Sequence, residues 1–470
     1  MEAQDNAKED FLRLVEEKEV KLVNLCHVPE DGRLRALSVA VRNRERLEEI
    51  IEFGERADGS SLFSYINPNK SDIYLMPEVE TAFFNPFDPT PTLNLLCKYL
   101  DEDGKPLPIA PESILQRAEQ KLHSITRVTL KALAELEFYL ISRQEETTHP
   151  VLLLESNYHQ TAPFAEFDNL RSEILTTLED IGLPTKYGHS EVGRFHLRTG
   201  YLVEQHEIEF QPQSLERLAR TIVIAKWVVR NVCKRHGVIA SFVPKLAVEH
   251  AGNGMHIHLC AVRRRENILA DRRGEMTDEG RQVIGGILKL SSSLAAFGNT
   301  IPPSYLRFAI RKESPSVIFW GTKDRLALVR VPLWWSFRDD IGNEDSCRRT
   351  LEFRAPDASS NPYLLLAGIS LAAEYGLANQ KETEKIAYDL EARNMKEEIE
   401  YQSLPLSCFE AAQCLRKSRE FYQCGNVFPR RVIDGTIEKL ESYNDMELWK
   451  QLADKPEKIE ESLWEYLHYG

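Results

Sequence analysis

Two periods of apolar spacing divide this chain into recognisable elements. Residues 5–19 carry Phe11, Leu12 and Val15 on one side and acidic residues on the other, which predicts an amphipathic helix. Val20 to Val28 and Leu34 to Val41 then read as strands around the turn Pro29-Glu-Asp-Gly32. A turn-forming loop, Ala57-Asp-Gly-Ser-Ser61, and a strand from Ser71 stopped by Pro77 complete a small α+β unit. Asp101 to Pro108 is polar and rich in Gly and Pro, so the boundary is expected there, with domains over 1–107 and 108–470.

Past the boundary the pattern is helical from Pro111 to Thr129 and strand-like from Lys131 to Ser142. A helix over 165–182 ends at Gly182 and Pro184, and a strand holds Gln205-His-Glu-Ile208. Long helices follow over Leu215 to Gly237, 277–298 and Asn361 to Asn379, with short strands at Val317 to Phe319 and Leu326 to Val331. The remainder reads as charged helix, and no repeat period appears.

Within the strand-like runs, charged residues recur two apart, a spacing that sends both to one face. His256 and His258 stand this way behind a loop with two glycines, as do Glu135 and Glu137, Glu207 and Glu209, and Glu352 and Arg354. A lone His-x-His is more often a half-buried strand with satisfied nitrogens, and a lone Glu-x-Glu a solvated face. Several such pairs in one chain, each framed by apolar residues, point instead to a strand-lined polar cavity, because inward charges are costly unless cations or charged ligands meet them.

Composition narrows the partners. With 470 residues, two domains are the default. Against 59 basic residues stand 73 acidic ones, a net charge of −14, which argues against nucleic acid as the partner. No apolar run approaches the ~20 residues of a membrane helix, and the N-terminus lacks the apolar core of a signal peptide. Eight cysteines form no C-x-x-C pair and no zinc spacing, so reduced thiols in the cytoplasm are the expectation.

From about residue 20 to about 420 the chain resembles the glutamine synthetase superfamily, as a divergent member similar to the bacterial type I enzymes. The resemblance is carried by Asp58-Gly-Ser-Ser61, Asp72-Ile-Tyr-Leu-Met-Pro77, Glu135-Leu-Glu-Phe138, His189-Ser-Glu-Val192, Gln205-His-Glu-Ile208, Phe242-Val-Pro-Lys245, Gly252-Asn-Gly-Met-His-Ile-His258, Leu351-Glu-Phe-Arg-Ala-Pro-Asp357 and Asn361-Pro-Tyr-Leu364, in family order. It implies an α+β protein with a small β-grasp-like N-terminal domain, a catalytic domain built on a curved antiparallel half-barrel sheet, and a helical C-terminal tail. It further implies a cytoplasmic homo-oligomer, a dodecamer of stacked rings, with active sites shared between subunits.

The implied activity is ATP-dependent synthesis of glutamine from glutamate and ammonia through a γ-glutamyl phosphate. Carried over by motif, Glu137, Glu191 and Glu207 hold one cation, and Glu135, His256 and Glu352 a second. Such donors suit Mg²⁺ or Mn²⁺, two or more per site, with ATP as co-substrate. Arg325 and Arg330 match arginines on the phosphates, with His258 near the γ-phosphate; Arg307, Arg354 and Gly252 match the substrate-binding positions. Glu313 matches the flap glutamate that excludes water, and Asp58, from a neighbouring subunit, the residue that helps deprotonate ammonium.

The chain also departs from the family pattern. Ala251 stands where an asparagine is usual, and the Glu191–Glu207 spacing is about eight residues longer, which leaves Glu204 and Glu209 as alternative ligands. The flap, Phe308 to Glu313, lacks a Pro-Gly turn, and Leu333 to Cys347, with Trp334, Trp335, Arg338, Asp339 and Asp340, is long. Tyr388 lies in a stretch similar to one with a regulatory tyrosine, and a structural role is the expectation. Ala251 and the altered flap keep an organic amine open in place of ammonia; a non-catalytic ring-forming relative is a separate alternative, against which the intact set of six ligands argues.

Overall fold

The computed structural model of the chain describes residues 2–143, 157–271, 273–309, 314–334, 347–392, 402–448 and 456–470. Its first part runs α1 (Glu2–Glu17), β1 (Leu22–His27), β2 (Arg35–Ala40), α2 (Arg44–Phe53), β3 (Glu55–Asp58), β4 (Asp72–Pro77), β5 (Phe83–Phe84) and β6 (Thr92–Leu100). The sheet order is β2-β1-β6-β4-β3, with β5 also on β6 and only the β1–β6 pair parallel. Phe11, Leu12 and Val15 of α1 and Leu47 and Ile50 of α2 share one core with Val23, Leu25, Leu75 and Leu93 of the sheet. This is the β-grasp-like arrangement expected.

The second part contains α3 (Pro111–Thr126), β7 (Thr129–Arg143), α4 (Asp168–Asp180), β8 (Thr185–His196), β9 (Tyr201–Phe210), β10 (Gln213–Ser214), α5 (Leu215–Arg235), β11 (Ile239–Ser241), β12 (Met255–Arg263) and β13 (Glu266–Asn267). Then follow α6 (Asp278–Gly298), α7 (Pro302–Ala309), β14 (Trp320–Thr322), β15 (Val329–Val331), β16 (Leu351–Phe353), α8 (Pro362–Ala378), α9 (Gln380–Asp389), α10 (Cys408–Gln423), α11 (Arg430–Ser442) and a last helix, Pro456–Trp464. Ten strands form one sheet that curls into a half-barrel, in the order β14-β15-β16-β12-β7-β9-β8, with β10 and β11 on β7 and β13 on β12.

The two-residue period of β7 explains the sheet's two faces. Leu130, Ala132, Ala134, Leu136, Phe138 and Leu140 belong to the main core, which they share with Ile222, Ala225 and Val229 of α5. The intervening positions, Glu135 and Glu137 among them, therefore emerge on the opposite face. Helices α6 and α8 pack behind this core at close range. A Cβ on Gly286 would collide with the carbonyl oxygen of Ala372, and one on Gly376 with that of Gln282, so the crossing needs residues without side chains.

Asn361 joins the first part to the second. Its side chain caps α8 by accepting from the Tyr363 N–H at 3.1 Å, and it donates to the carbonyls of Pro29 and Glu30 at 3.0 and 3.3 Å. Gly32, with φ +73°, turns the chain directly against the Asn361 backbone, where a Cβ would lie 2.9 Å from Asn361 Cα.

Three expectations change. The longer Glu191–Glu207 spacing is not an added loop: it lengthens the β8–β9 hairpin, whose register shifts between Ser190 and Arg194, the irregularity of a β-bulge beside a site. The strand expected at 317–319 is displaced to Trp320–Thr322, and the one expected at 326–331 shortens to Val329–Val331, since Val317 and Leu326 lie outside the ladder. Reduced thiols throughout were expected, but Cys260 and Cys347 are joined across 87 residues with Cα atoms 5.3 Å apart; the other six cysteines are free. No described helix is long and apolar enough to cross a membrane.

Candidate active site

The polar face of the half-barrel sheet closes around a cavity of about 260 Å³. Strand register alone brings its acids together. On β7, Glu135 pairs with His256 of β12 and with Glu209 of β9, and Glu137 pairs with Glu207 of β9. His189 of β8 stands opposite Glu207, while Glu352 of β16 stands opposite both His258 and Arg330. Six segments distant in sequence thus meet through backbone hydrogen bonds, which hold the side chains on rigid elements.

Two groups could each take a divalent cation. Ligand atoms of Glu135, His256 and Glu352 lie within 4.8 Å of one another, as do those of His189, Glu191 and Glu207. In the first group His256 Nδ1 is 2.8 Å from Glu135 and 3.6 Å from Glu352. In the second, His189 Nε2 is 3.2 Å from Glu207 and its Nδ1 is 3.7 Å from Glu191. Glu137 lines the same cavity, but its carboxylate accepts from the Gly254 N–H at 2.8 Å and from Gln205 at 3.1 Å.

The electrostatics favour a cation among these carboxylates. Burial, together with the carboxylates of Glu135, Glu137, Glu191 and Glu209, pushes the Glu207 carboxyl well above its ordinary range. Glu135 is held well below, since the charges of His258 and His256 and their hydrogen bonds outweigh its burial. Mostly carboxylate donors with one imidazole per group suit Mg²⁺ or Mn²⁺ better than a soft metal.

Arginines surround the acids. Arg330 and Arg354 bind the two oxygens of Glu352 at 2.8 and 2.9 Å. Arg307, 2% exposed, donates to the carbonyls of Ala355 and Arg354 at 2.9 and 3.1 Å and approaches His256 Nε2 at 3.5 Å. Arg325 lines the cavity and bonds to Tyr158. Gly252 is also at the wall; its carbonyl accepts from Gln205 at 3.1 Å, and a Cβ there would meet the Pro244 carbonyl at 2.6 Å.

Other candidates fall elsewhere. His258 is buried behind the wall, its Nε2 2.9 Å from Glu135 and its Nδ1 3.0 Å from Thr350 Oγ1. Despite burial, the Glu135 charge raises its pKa. Asp58 does not line the cavity of its own chain; its carboxylate is held well below the usual range by the Ser61 and Ser60 hydroxyls. Glu313 lies outside the described residues, as do Trp335, Arg338, Asp339 and Asp340. Glu204 turns to the back of β9, where it accepts from the Glu166 N–H, and Glu209 is 2.6 Å from Lys186. Ala251 contributes its backbone: its carbonyl accepts from Tyr139 at 2.6 Å. Tyr388 is 63% exposed.

His189 is a cavity residue that the motif assignments pass over, although it precedes Glu191 by the same two-residue step as the other pairs. Tyr158, His159 and Tyr187 cluster their rings about it, at 5.2, 4.5 and 6.0 Å between centroids. Nothing in apolar periodicity marks such a group, since its members come from separate segments.

Comparison with known proteins agrees with this geometry. The family model for the glutamine synthetase catalytic domain matches residues 108–457, and that for the glutamine synthetase β-grasp domain matches residues 19–102. The chain is similar to the glutamine synthetase of Methylococcus capsulatus, 29% identical over 467 residues, covering 91% of this chain and 94% of that protein. It is likewise similar to the glutamine synthetase of Pyrococcus horikoshii, 29% identical over 456 residues and covering 96% of each. A solved structure described as a GmaS/ADP complex shares the fold with TM-score 0.74 at 21% identity, over 92% of this chain and 95% of that one.

Proposed function

The chain belongs to the glutamine synthetase family and is an enzyme of the glutamate–ammonia or related glutamate–amine ligase type; on that premise we propose that it makes glutamine from glutamate, ATP and ammonia. In this reaction the γ-carboxylate takes the γ-phosphoryl group to give an acyl phosphate and ADP, and ammonia then displaces inorganic phosphate. The observation that carries the reading is the pair of three-ligand groups opening into one cavity with Arg307, Arg325, Arg330 and Arg354. Two anionic reactants need this much positive charge around them.

Mg²⁺ or Mn²⁺, held by Glu135, His256 and Glu352 and by Glu191 and Glu207 with His189 or Glu137, would supply the charge neutralisation that lets carboxylate and phosphate meet. Around those ions, Arg325 and Arg330 would clamp the transferring phosphoryl group with planar, permanently charged forks. His258, through Glu135, keeps the ligand oxygens oriented beside it. Arg307 and Arg354 would hold the carboxylates of glutamate beside Gly252, and Glu313 would close over the acyl phosphate to exclude water. Asp58 would reach the cavity of a neighbouring subunit and help take the proton from ammonium. A ring assembly, a dodecamer of stacked rings, would bring this about.

One observation favours an organic amine instead. On β8, the Lys186 ammonium is 5.0 Å from the ring centroid of Tyr187, a residue of the cavity wall, and 2.6 Å from Glu209, a carboxylate and ring arrangement that would also hold an alkylammonium. Mass spectrometry of products formed from ATP, Mg²⁺, glutamate and either ammonium or a panel of amines separates the two readings. Glutamine from ammonium supports the first; a γ-glutamylamide with no glutamine supports the second. Absence of ADP release with every acceptor sinks both.

A further inference from the structure

Behind the loop that follows Arg354, three cations converge in a second cavity of about 280 Å³. Lys226 and Arg230 stand one turn apart on α5, and Arg33 comes from the segment between β1 and β2. No carboxylate side chain is among the cavity's described lining residues. Lys226 is 3% exposed, and its ammonium donates to the Ala358 carbonyl at 3.1 Å. Arg230 stacks 4.9 Å over the Phe242 ring and donates to the Gly470 carbonyl at 2.5 Å. Arg33 donates to the His468 carbonyl at 2.6 Å and lies 5.5 Å from the Tyr469 ring centroid.

The nearby acids are engaged elsewhere. Asp31 binds Arg35 at 2.7 Å, and Asp357 accepts from Asn299 at 2.8 Å and from the Ser359 N–H at 2.9 Å. Burial, reinforced by the charges of Arg230 and Arg33, pushes the Lys226 ammonium down to about 7. Such crowding of like charges in a partly enclosed space is relieved when the ammonium gives up its proton or when an anion joins the three cations. A carboxylate at Gly470 would offset one of the three charges and leave two.

We propose that this cavity binds a phosphoryl group, as inorganic phosphate or as the phosphomonoester of a small metabolite. Two guanidinium forks and a point-charge ammonium offer donors to the several oxygens of a tetrahedral dianion. Leu34, Val223 and Trp227 supply an apolar wall beside the cations, which suits an organic portion of the ligand. The site is separate from the acidic cavity, with which it shares no lining residue.

Titration calorimetry of the full chain with inorganic phosphate and with glycerol phosphate, without nucleotide, tests the proposal. Arg230→Gln and, independently, Lys226→Met are expected to weaken the same binding event by about tenfold or more, the loss typical of a charged hydrogen-bond partner. Arg230→Lys, which retains the charge, is expected to keep most of it. Arg325→Gln, in the acidic cavity, is expected to leave it unchanged. Tighter phosphate or tighter monoester identifies the source, and either supports the site. No uptake of either ligand at millimolar concentration overturns it, as does binding that only Arg325→Gln removes.

Discussion

Replacing Glu352 with glutamine is expected to lower the rate of ADP formation by about 10³-fold, on the order of 4 kcal/mol of lost transition-state stabilisation. Glu352 is 1% exposed, binds two arginines and stands 3.6 Å from His256. The amide keeps the shape of the carboxylate but supplies no charge. It withdraws a cation ligand and, at the same time, leaves Arg330 and Arg354 without their shared counter-charge. Both losses act on the region where negative charge must accumulate. Steady-state assay beside circular dichroism checks the result: a folded variant within tenfold of the parent rate means that Glu352 does not serve the chemistry.

Substituting alanine for Gly286 is expected to destabilise the fold by about 1 to 2 kcal/mol, against the usual trend for helices. Exchanging glycine for alanine in a helix ordinarily gains about 1 kcal/mol. Here the new methyl would meet the carbonyl oxygen of Ala372 and the backbone of Gly376, neither of which can rotate away. Overpacking against a rigid neighbour costs about 1 to 3 kcal/mol even where side chains can adjust, so the clash outweighs propensity. The midpoint of urea unfolding should fall. A midpoint that stays level or rises would mean that α6 and α8 are not in close contact.

Much of the candidate site is legible in sequence because its logic is local. Glu135 and Glu137 interrupt an apolar alternation at odd positions, so one period of two assigns them to the face opposite the core. The same step links His189 to Glu191, but it is a single imidazole within a motif whose glutamate draws the assignment, and only the fold brings it against Glu207. Lengths mislead for a different reason. Eight additional residues between Glu191 and Glu207 look like an inserted loop, yet a hairpin can absorb them by extending both strands around a bulge, which preserves the inward aim of the ligands. Pairing of Cys260 with Cys347 is illegible without coordinates, since any two of eight cysteines are equal candidates on paper. The Arg33, Lys226 and Arg230 cluster is hidden likewise, because each is an ordinary surface cation until a turn of the first sheet is laid over α5.

The tie made by Asn361 bears on how reactants reach the cavity. One carboxamide both terminates α8 and grips the Pro29–Glu30 turn, so swinging the first sheet away from the helix would strip that helix of its cap in the same motion. A hinge at this junction is therefore disfavoured from both sides. The two sheets travel as one body, and reactants enter the cavity without parting them.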